Sequence, residues 1–341
     1  MGDETLTDAA RTLLDLATTR EIAPRATITV VAAPDARALR ALDVVAIGGL
    51  ELGAKIGEGG MSVVYRATQV ALGREVAVKI LRESDAEAKV RLMREAWITG
   101  ALEHPSVVPV HDVKVDPSGT LQIVLKRISG AAWAEIMHDP AALRRLGAGD
   151  PLDWNIRTLM QVCNAVHFAH SRGILHRDLK SENVMIGEFG EVYVVDWGLA
   201  VALTDDGTGR LPLVSEVDTI AGTPAYMAPE MLEASGARLS VRTDVYLLGA
   251  LLYEIVVGQP PHMGPNLPAI LASISRSKPP VPEHVPAELA DILRRSLARE
   301  PEARYESAEQ LRVALAAFLE HRASTALALD AAGKLRQLEE N

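Results

Sequence analysis

One cysteine in 341 residues, Cys163, excludes an intramolecular disulfide and any cysteine-built metal site, and it fits a reducing compartment. Basic charge is also short. Lys and Arg number 35 against 45 Asp and Glu, and the net charge of −10 argues against nucleic acid as the partner of the whole chain, while leaving room for a local basic groove. The most apolar stretch, Val245 to Val257, carries Glu254 and falls short of the roughly 20 residues that a membrane span needs. The first residues, Met-Gly-Asp-Glu-Thr, are acidic and lack the pattern of a signal peptide. The expectation is a cytoplasmic protein with no membrane span. Hydrophobic content of 48% is ordinary for a globular chain, and the length suits one large two-lobed domain or two small ones.

The chemistry is concentrated in residues 174–200. Two short apolar strands there carry polar groups at their ends: Asp178, Lys180, Asn183 and Asp196. Gly187 and Gly190 bracket the turn between the strands, so the segment folds back and brings Asn183 near Asp196. A carboxylate and an amide oxygen held together make a hard-oxygen site suited to Mg²⁺. Asp178 stands on the preceding loop beside a lysine. Such a set serves phosphoryl transfer, which depends mainly on positioning and charge neutralisation.

The run His176-Arg177-Asp178-Leu179-Lys180-Ser181-Glu182-Asn183 resembles a protein-kinase catalytic loop, and Asp196-Trp197-Gly198 resembles that family's metal-binding motif with Trp in place of Phe. Downstream, Ala221-Gly-Thr-Pro-Ala-Tyr-Met-Ala-Pro-Glu230 is specific for protein kinases and argues against small-molecule kinases. The resemblance implies that Asp178 accepts or orients the substrate hydroxyl proton and that Lys180 neutralises the γ-phosphate. Asn183 and Asp196 would hold Mg²⁺, with Mn²⁺ as an alternative. Lysine two places after the aspartate is similar to Ser/Thr rather than tyrosine kinases. The nearest likeness is to bacterial Ser/Thr kinases of the eukaryotic-like, Hanks type.

Earlier motifs arrive in the family's order. Gly57, Gly59 and Gly60 lie between two strand segments, where backbone N–H groups can approach phosphates. By resemblance Ile56, Glu58, Met61 and Ser62 complete that ATP-binding loop, with Ser62 replacing the third glycine. Lys79, on the strand Glu75–Leu81, matches the lysine that holds the α- and β-phosphates. Glu95 matches its helix partner, with Glu87 as the runner-up. Ile56, Val64, Ala77 and Met185 would enclose adenine, Leu125 would back the pocket, and backbone groups of Lys126 and Ile128 would bond the base. Thr99, four places after Glu95, is smaller than the family's usual residue and would make room for Trp197. Thr223 would contact Asp178 and Lys180, Asp244 would brace the catalytic-loop backbone, and Arg304 would pair with Glu230. Thr219 and Ser215 are the phosphorylation candidates, with Arg177 as the phosphate's partner; Glu216 and Asp218 could supply built-in negative charge instead.

The implied fold is α+β and bilobal: a small β-rich N-lobe with one helix over 47–128, and a larger, mainly helical C-lobe over 129–321. Residues 1–46 form an extension, with a helical pattern at 7–18 and a strand at 27–32. It either packs on the domain or acts as an autoregulatory or docking arm. Residues 139–153 read as a loop insertion, from Pro140, Gly147, Gly149 and Pro151. A helix follows over 154–172; its His167 and His170 read as core or groove residues rather than metal ligands, and Cys163 as core. The tail, 322–341, reads as a helical continuation. The expected partners are ATP and proteins bearing Ser or Thr, with a homodimer compatible with autophosphorylation in trans. A nucleotide-binding pseudokinase and a signalling scaffold are the rival readings. Ser62 and Trp197 favour the first, and the complete catalytic set weighs against it.

Overall fold

The computed structural model describes residues 28–29, 49–58, 62–82, 86–116 and 119–339. The helix expected at 7–18 lies outside them, as do Gly59, Gly60 and Met61. Of the strand expected at 27–32, Ile28–Thr29 is described as a two-residue strand, β1.

Strands β2 (Leu50–Glu58), β3 (Ser62–Gln69), β4 (Arg74–Leu81), β5 (Val110–Val115) and β6 (Leu121–Lys126) make the upper lobe. They form one sheet in the order β2-β3-β4-β6-β5, every pair antiparallel. Val76, Val78 and Ile80 on alternate positions of β4 suit a pleated, half-covered surface. Helix α1 (Ala86–Ala101) covers one face. Its Ala88, Leu92 and Ala96 recur every fourth residue and pack with Met93 against Leu81, Leu121 and Ile123.

The lower lobe begins with β7 (Gly130–Ala132), α2 (Trp133–Ile136), α3 (Pro140–Arg145) and α4 (Pro151–Ser171). Here the expected loop at 139–153 is corrected. Pro140 and Pro151 are not loop punctuation but first-turn helix residues. Asp139 accepts the Ala141 N–H at 2.8 Å, and Asp150 accepts those of Leu152 and Asp153 at 2.8 and 3.0 Å. An aspartate cap followed by proline starts a helix, because proline's missing N–H is one that the first turn leaves unbonded anyway.

Three small sheets follow. β8 (Ile174–Leu175) pairs with β11 (Val201–Ala202), and β9 (Val184–Gly187) lies between β7 and β10 (Val192–Val194). β12 (Ala221–Gly222) pairs with β1. Helix α5 (Val241–Val257) runs through the lower core and is buried on every side from Thr243 to Ile255, so its near-continuous apolar run marks an interior helix. Ser240 caps it at its start, and Gly258 ends it in the left-handed conformation at φ 86°. Helices α6 (Leu267–Arg276), α7 (Ala287–Ser296) and α8 (Ala308–Glu339) complete the lobe. The expected helical continuation at the tail is present as the second half of α8. Arg322, where the expected tail begins, ties the middle of α8 to the start of α4 through Asp150, at 2.7 Å, and Asp153. Among the described residues, no helix is long and apolar enough to cross a membrane.

Candidate active site

Strand register brings the first group together. Lys79 stands opposite Val64 on β3 and Ile123 on β6, and Ala77 opposite Leu125. Cross-strand partners share a face, so Val64, Ala77, Lys79 and Leu125 look the same way. The Lys79 ammonium lies 2.6 Å from both Glu95 oxygens and 3.7 Å from Asp196 Oδ1. Burial opposes the Lys79 charge, but the Glu95 and Asp196 carboxylates outweigh it and raise the lysine's pKa. Burial likewise raises Glu95, against the lowering pull of Lys79. With one ammonium touching both carboxylate oxygens, the charged pair is the form the geometry fits. Asp196 is held below the usual carboxylate range, first by Lys79, and its side chain is 47% exposed, open to a ligand.

The second group sits on the loop after β8. Thr223 Oγ1 donates to Asp178 Oδ1 at 2.7 Å and accepts from Lys180 Nζ at 3.0 Å. Lys180 is 3.5 Å from Asp178 Oδ2. Asn183 Nδ2 donates to the Asp178 carbonyl at 2.8 Å and to Asp178 Oδ2 at 3.2 Å. These bonds orient the amide so that its oxygen is the atom left for a cation. The Asn183 carbonyl in turn accepts the Val195 N–H at 2.9 Å, which carries the asparagine to the doorstep of Asp196.

The buried helix α5 fixes this loop. Asp244 accepts the backbone N–H groups of His176 and Arg177 at 2.8 and 2.9 Å. It also binds His170 Nε2 at 2.8 Å. His170 is thus a groove residue with a structural partner, whereas His167 is exposed. Cys163 lies in the core. Below the cleft, Trp197 is fully buried, with its ring centroid 4.5 Å from that of His176. Thr99 is also buried and donates to the Glu95 carbonyl at 2.7 Å.

Among the other expected nucleotide contacts, Ile56 is half-exposed, Val64, Leu125, Ile128 and Met185 are half-buried, and Ala77 is buried. Gly57 pairs with Val64 and Glu58 with Val63; Ser62 is buried at the start of β3. The Glu58 carboxylate is engaged by Lys55 and Arg82, so only its backbone is left for a phosphate. Lys126 donates its N–H to the Pro109 carbonyl at 2.9 Å, which narrows its expected contact with the base to the carbonyl. Its side chain crosses to the lower lobe, 4.6 Å over the Tyr193 ring.

Tyr226 was not singled out from the sequence. Its hydroxyl donates to Glu254 at 2.6 Å and lies 3.2 Å from Ser181, so it fastens the residues after Lys180 to α5. Nor was Arg210, whose guanidinium stands 5.8 Å from the Trp97 ring on α1. Both contacts join residues remote in sequence, and no local pattern announces them.

Comparisons with known proteins agree with this geometry. The family model described as a protein kinase domain matches residues 50–314. The serine/threonine-protein kinase PknB of Mycolicibacterium smegmatis is 37% identical over 277 residues, covering 78% of this chain and 42% of that protein. PknB of Mycobacterium tuberculosis is 35% identical over 275 residues, with the same 78% and 42% coverage. A probable serine/threonine-protein kinase of Streptomyces coelicolor is 34% identical over 283 residues, covering 80% of this chain and 40% of that one. The chain therefore spans about two fifths of the length of these curated relatives.

Proposed function

The chain belongs to the protein kinase family, and we propose that it transfers the γ-phosphoryl group of ATP to serine and threonine hydroxyls of proteins. The observation that carries this reading is the junction of two groups. Lys79, Glu95 and Asp196 form one, Asp178, Lys180 and Thr223 the other, and Asn183 bonds to Asp178 while its carbonyl holds Val195.

In the proposed reaction Asp178 accepts the proton of the substrate hydroxyl as its oxygen bonds to the γ-phosphorus and the bond to the ADP oxygen breaks. Lys180 faces the charge on the phosphoryl group being moved, and Lys79, held by Glu95, faces the α- and β-phosphates. Thr223 keeps the Asp178 carboxylate aimed while its own hydroxyl is buried and bonded.

Asn183 Oδ1 and the half-exposed Asp196 carboxylate offer two hard oxygen donors for the divalent cation. Among the described residues no cluster of three His, Cys, Asp or Glu groups is arranged to hold a metal. Two donors suit Mg²⁺, or Mn²⁺ in its place, because such an ion keeps waters and takes phosphate oxygens as further ligands. When bound it neutralises phosphate charge.

Autophosphorylation between two copies is part of the proposal. Ser215 is exposed and Thr219 half-buried, so these are its acceptors rather than Thr223. ATP as co-substrate and the lone buried thiol of Cys163 both fit a cytoplasmic location for this domain.

The test is transfer of radiolabelled phosphate from ATP to a Ser/Thr protein substrate, with Asp178→Asn as control. The variant should retain nucleotide binding and lose about 10²–10⁴-fold in rate. Equal transfer by both proteins would remove the catalytic reading.

A further inference from the structure

Among the first 48 residues only β1 is described, and it lies against the active site. Its register is antiparallel: Ile28 faces Gly222 and Thr29 faces Ala221. The next residue after Gly222 is Thr223, whose hydroxyl bonds both Asp178 and Lys180. Paired strands stand about 4.8 Å apart. The β1 backbone therefore runs one strand spacing from the segment that aims the catalytic carboxylate.

The β12 strand has one face to offer. Gly222 has φ +136°, and a Cβ there would fall 2.8 Å from Met231 Cε and 3.2 Å from the Arg177 carbonyl. One face of the strand is thus packed against the lobe, while a hydrogen-bonding edge carries the ladder to β1. Among the described residues, β1 is the sole strand paired with β12. An extended peptide adds to such an edge through its main chain, so the edge discriminates weakly among sequences and takes one strand at a time.

We propose that β1 is a competitor built into the chain: it occupies the β12 edge and excludes the extended segment of a protein substrate until it leaves. This rests on the kinase reading above. Residues 30–48 link β1 to β2 and can span at most about 65 Å when extended, ample for the distance across one domain. Tethering makes the contact independent of protein concentration, so a ladder of two residues suffices to compete, and it stays short enough to be displaced.

The test uses the full chain with Ile28→Pro and, separately, Thr29→Pro, since proline removes a strand N–H. Thr29→Ala, which keeps the N–H, is the companion. Steady-state kinetics on a synthetic Ser/Thr peptide should show the peptide KM falling about threefold to tenfold in the proline variant whose lost N–H faces β12, since successive N–H groups of an antiparallel strand point to opposite edges. Its kcat and KM for ATP should stay within about twofold of the parent, as should every parameter of Thr29→Ala. A synthetic peptide of residues 22–35 should inhibit the variant with the lowered KM competitively against the peptide substrate and not against ATP. Amide exchange at whichever of Ala221 and Gly222 donates to β1 should quicken in that same variant. An unchanged peptide KM in both variants overturns the competition, even if exchange quickens. If wild type and variants all fail to transfer phosphate, the kinase reading falls and the competition with it. Exchange at Ala221 and Gly222 then decides separately whether β1 docks, with an unchanged rate overturning that too.

Discussion

Arg304→Ala should be among the most costly single changes in the lower lobe, and the coordinates say why. All five N–H donors of the guanidinium are in use. Nε bonds the Ala298 carbonyl at 2.7 Å; Nη1 bonds Glu230 at 2.6 Å and the Arg242 carbonyl at 3.0 Å; Nη2 bonds Glu230 and the Arg299 carbonyl, both at 2.8 Å. The Tyr246 ring lies 4.7 Å from the cation. Both charged side chains are buried. Truncating the arginine leaves the Glu230 carboxylate in the interior with Thr243 Oγ1, at 2.9 Å, as its remaining bonded partner. A stranded buried charge of this kind costs about 3–5 kcal/mol, a large share of a total stability of about 5–15 kcal/mol. Arg304→Lys keeps the charge but replaces five fixed donors by three on a point charge, and should cost about 2 kcal/mol through the carbonyls it abandons. Removing both charges, in Glu230→Leu with Arg304→Met, should cost far less than the sum of the two single changes. Urea unfolding at constant m-value reads all six proteins: wild type, Arg304→Ala, Arg304→Lys, and the two single changes and the double of the cycle. A cost for Arg304→Ala below about 1 kcal/mol, or additivity within about 0.5 kcal/mol in the cycle, would refute the reasoning.

Stability should also fall with acidity through His262, buried between Tyr246 at 2.7 Å and Ser273 at 3.1 Å, where burial lowers its pKa from 6.5 to about 3. The unfolded chain then binds the proton first, so this contribution is whole above pH 6.5 and shrinks as pH drops toward 3. From pH 7 to 5 it amounts to about 2 kcal/mol, and the urea midpoint of His262→Gln should lose that part of its pH dependence. Thr99→Leu should crowd a buried site and lose the bond to the Glu95 carbonyl, cost about 1–3 kcal/mol and reduce activity; a variant matching wild type in both melting and turnover would end the volume-compensation idea. Asp244→Asn turns one of the two acceptor oxygens into a donor, which then faces either the Arg177 N–H or the His176 N–H and His170 Nε2. It should cost about 3 kcal/mol and slow transfer at least about tenfold per folded molecule, measured by unfolding and kinetics on the same preparation.

The chemistry was legible because it is local. From Asp178 to Asp196 the whole set sits within one hairpin, and the glycines at 187 and 190 mark its turn. Lys79 and Glu95 were legible through the resemblance to protein kinases, which matched them by motif order. Three things were not. Pro140 and Pro151 carried two opposite meanings, breaker and first-turn residue, and weighing them with nearby glycines hid the aspartate caps before them. His167 and His170 share a helical spacing, yet only His170 meets Asp244, a residue whose position depends on how α4 and α5 pack. The β1–β12 pairing joins strands almost two hundred positions apart: a strand at 27–32 was legible, but its partner, two residues at 221–222, is too short for any periodicity to register.

Two non-glycine residues at the site hold left-handed backbone: Arg177 at φ 68° and Asp196 at φ 62°. Such conformations cost of order 1 kcal/mol or more each and persist where neighbours over-determine them. For Arg177 the restraint is Asp244, which takes its N–H from below. For Asp196 it is the approach strand, where Val194 donates to the Ser106 carbonyl at 2.7 Å and Val195 to Asn183 at 2.9 Å, followed by Trp197 sealed beneath. The two restraints meet at His176, which lends its N–H to Asp244 and its ring face to Trp197. Strain before Asp178 and strain at Asp196 are therefore held by one connected piece of the lower lobe. The 3.7 Å approach of Lys79 to Asp196 depends on that piece as much as on the upper-lobe sheet. A change that loosens α5 should thus reach the lysine–carboxylate pair across the cleft without touching either residue.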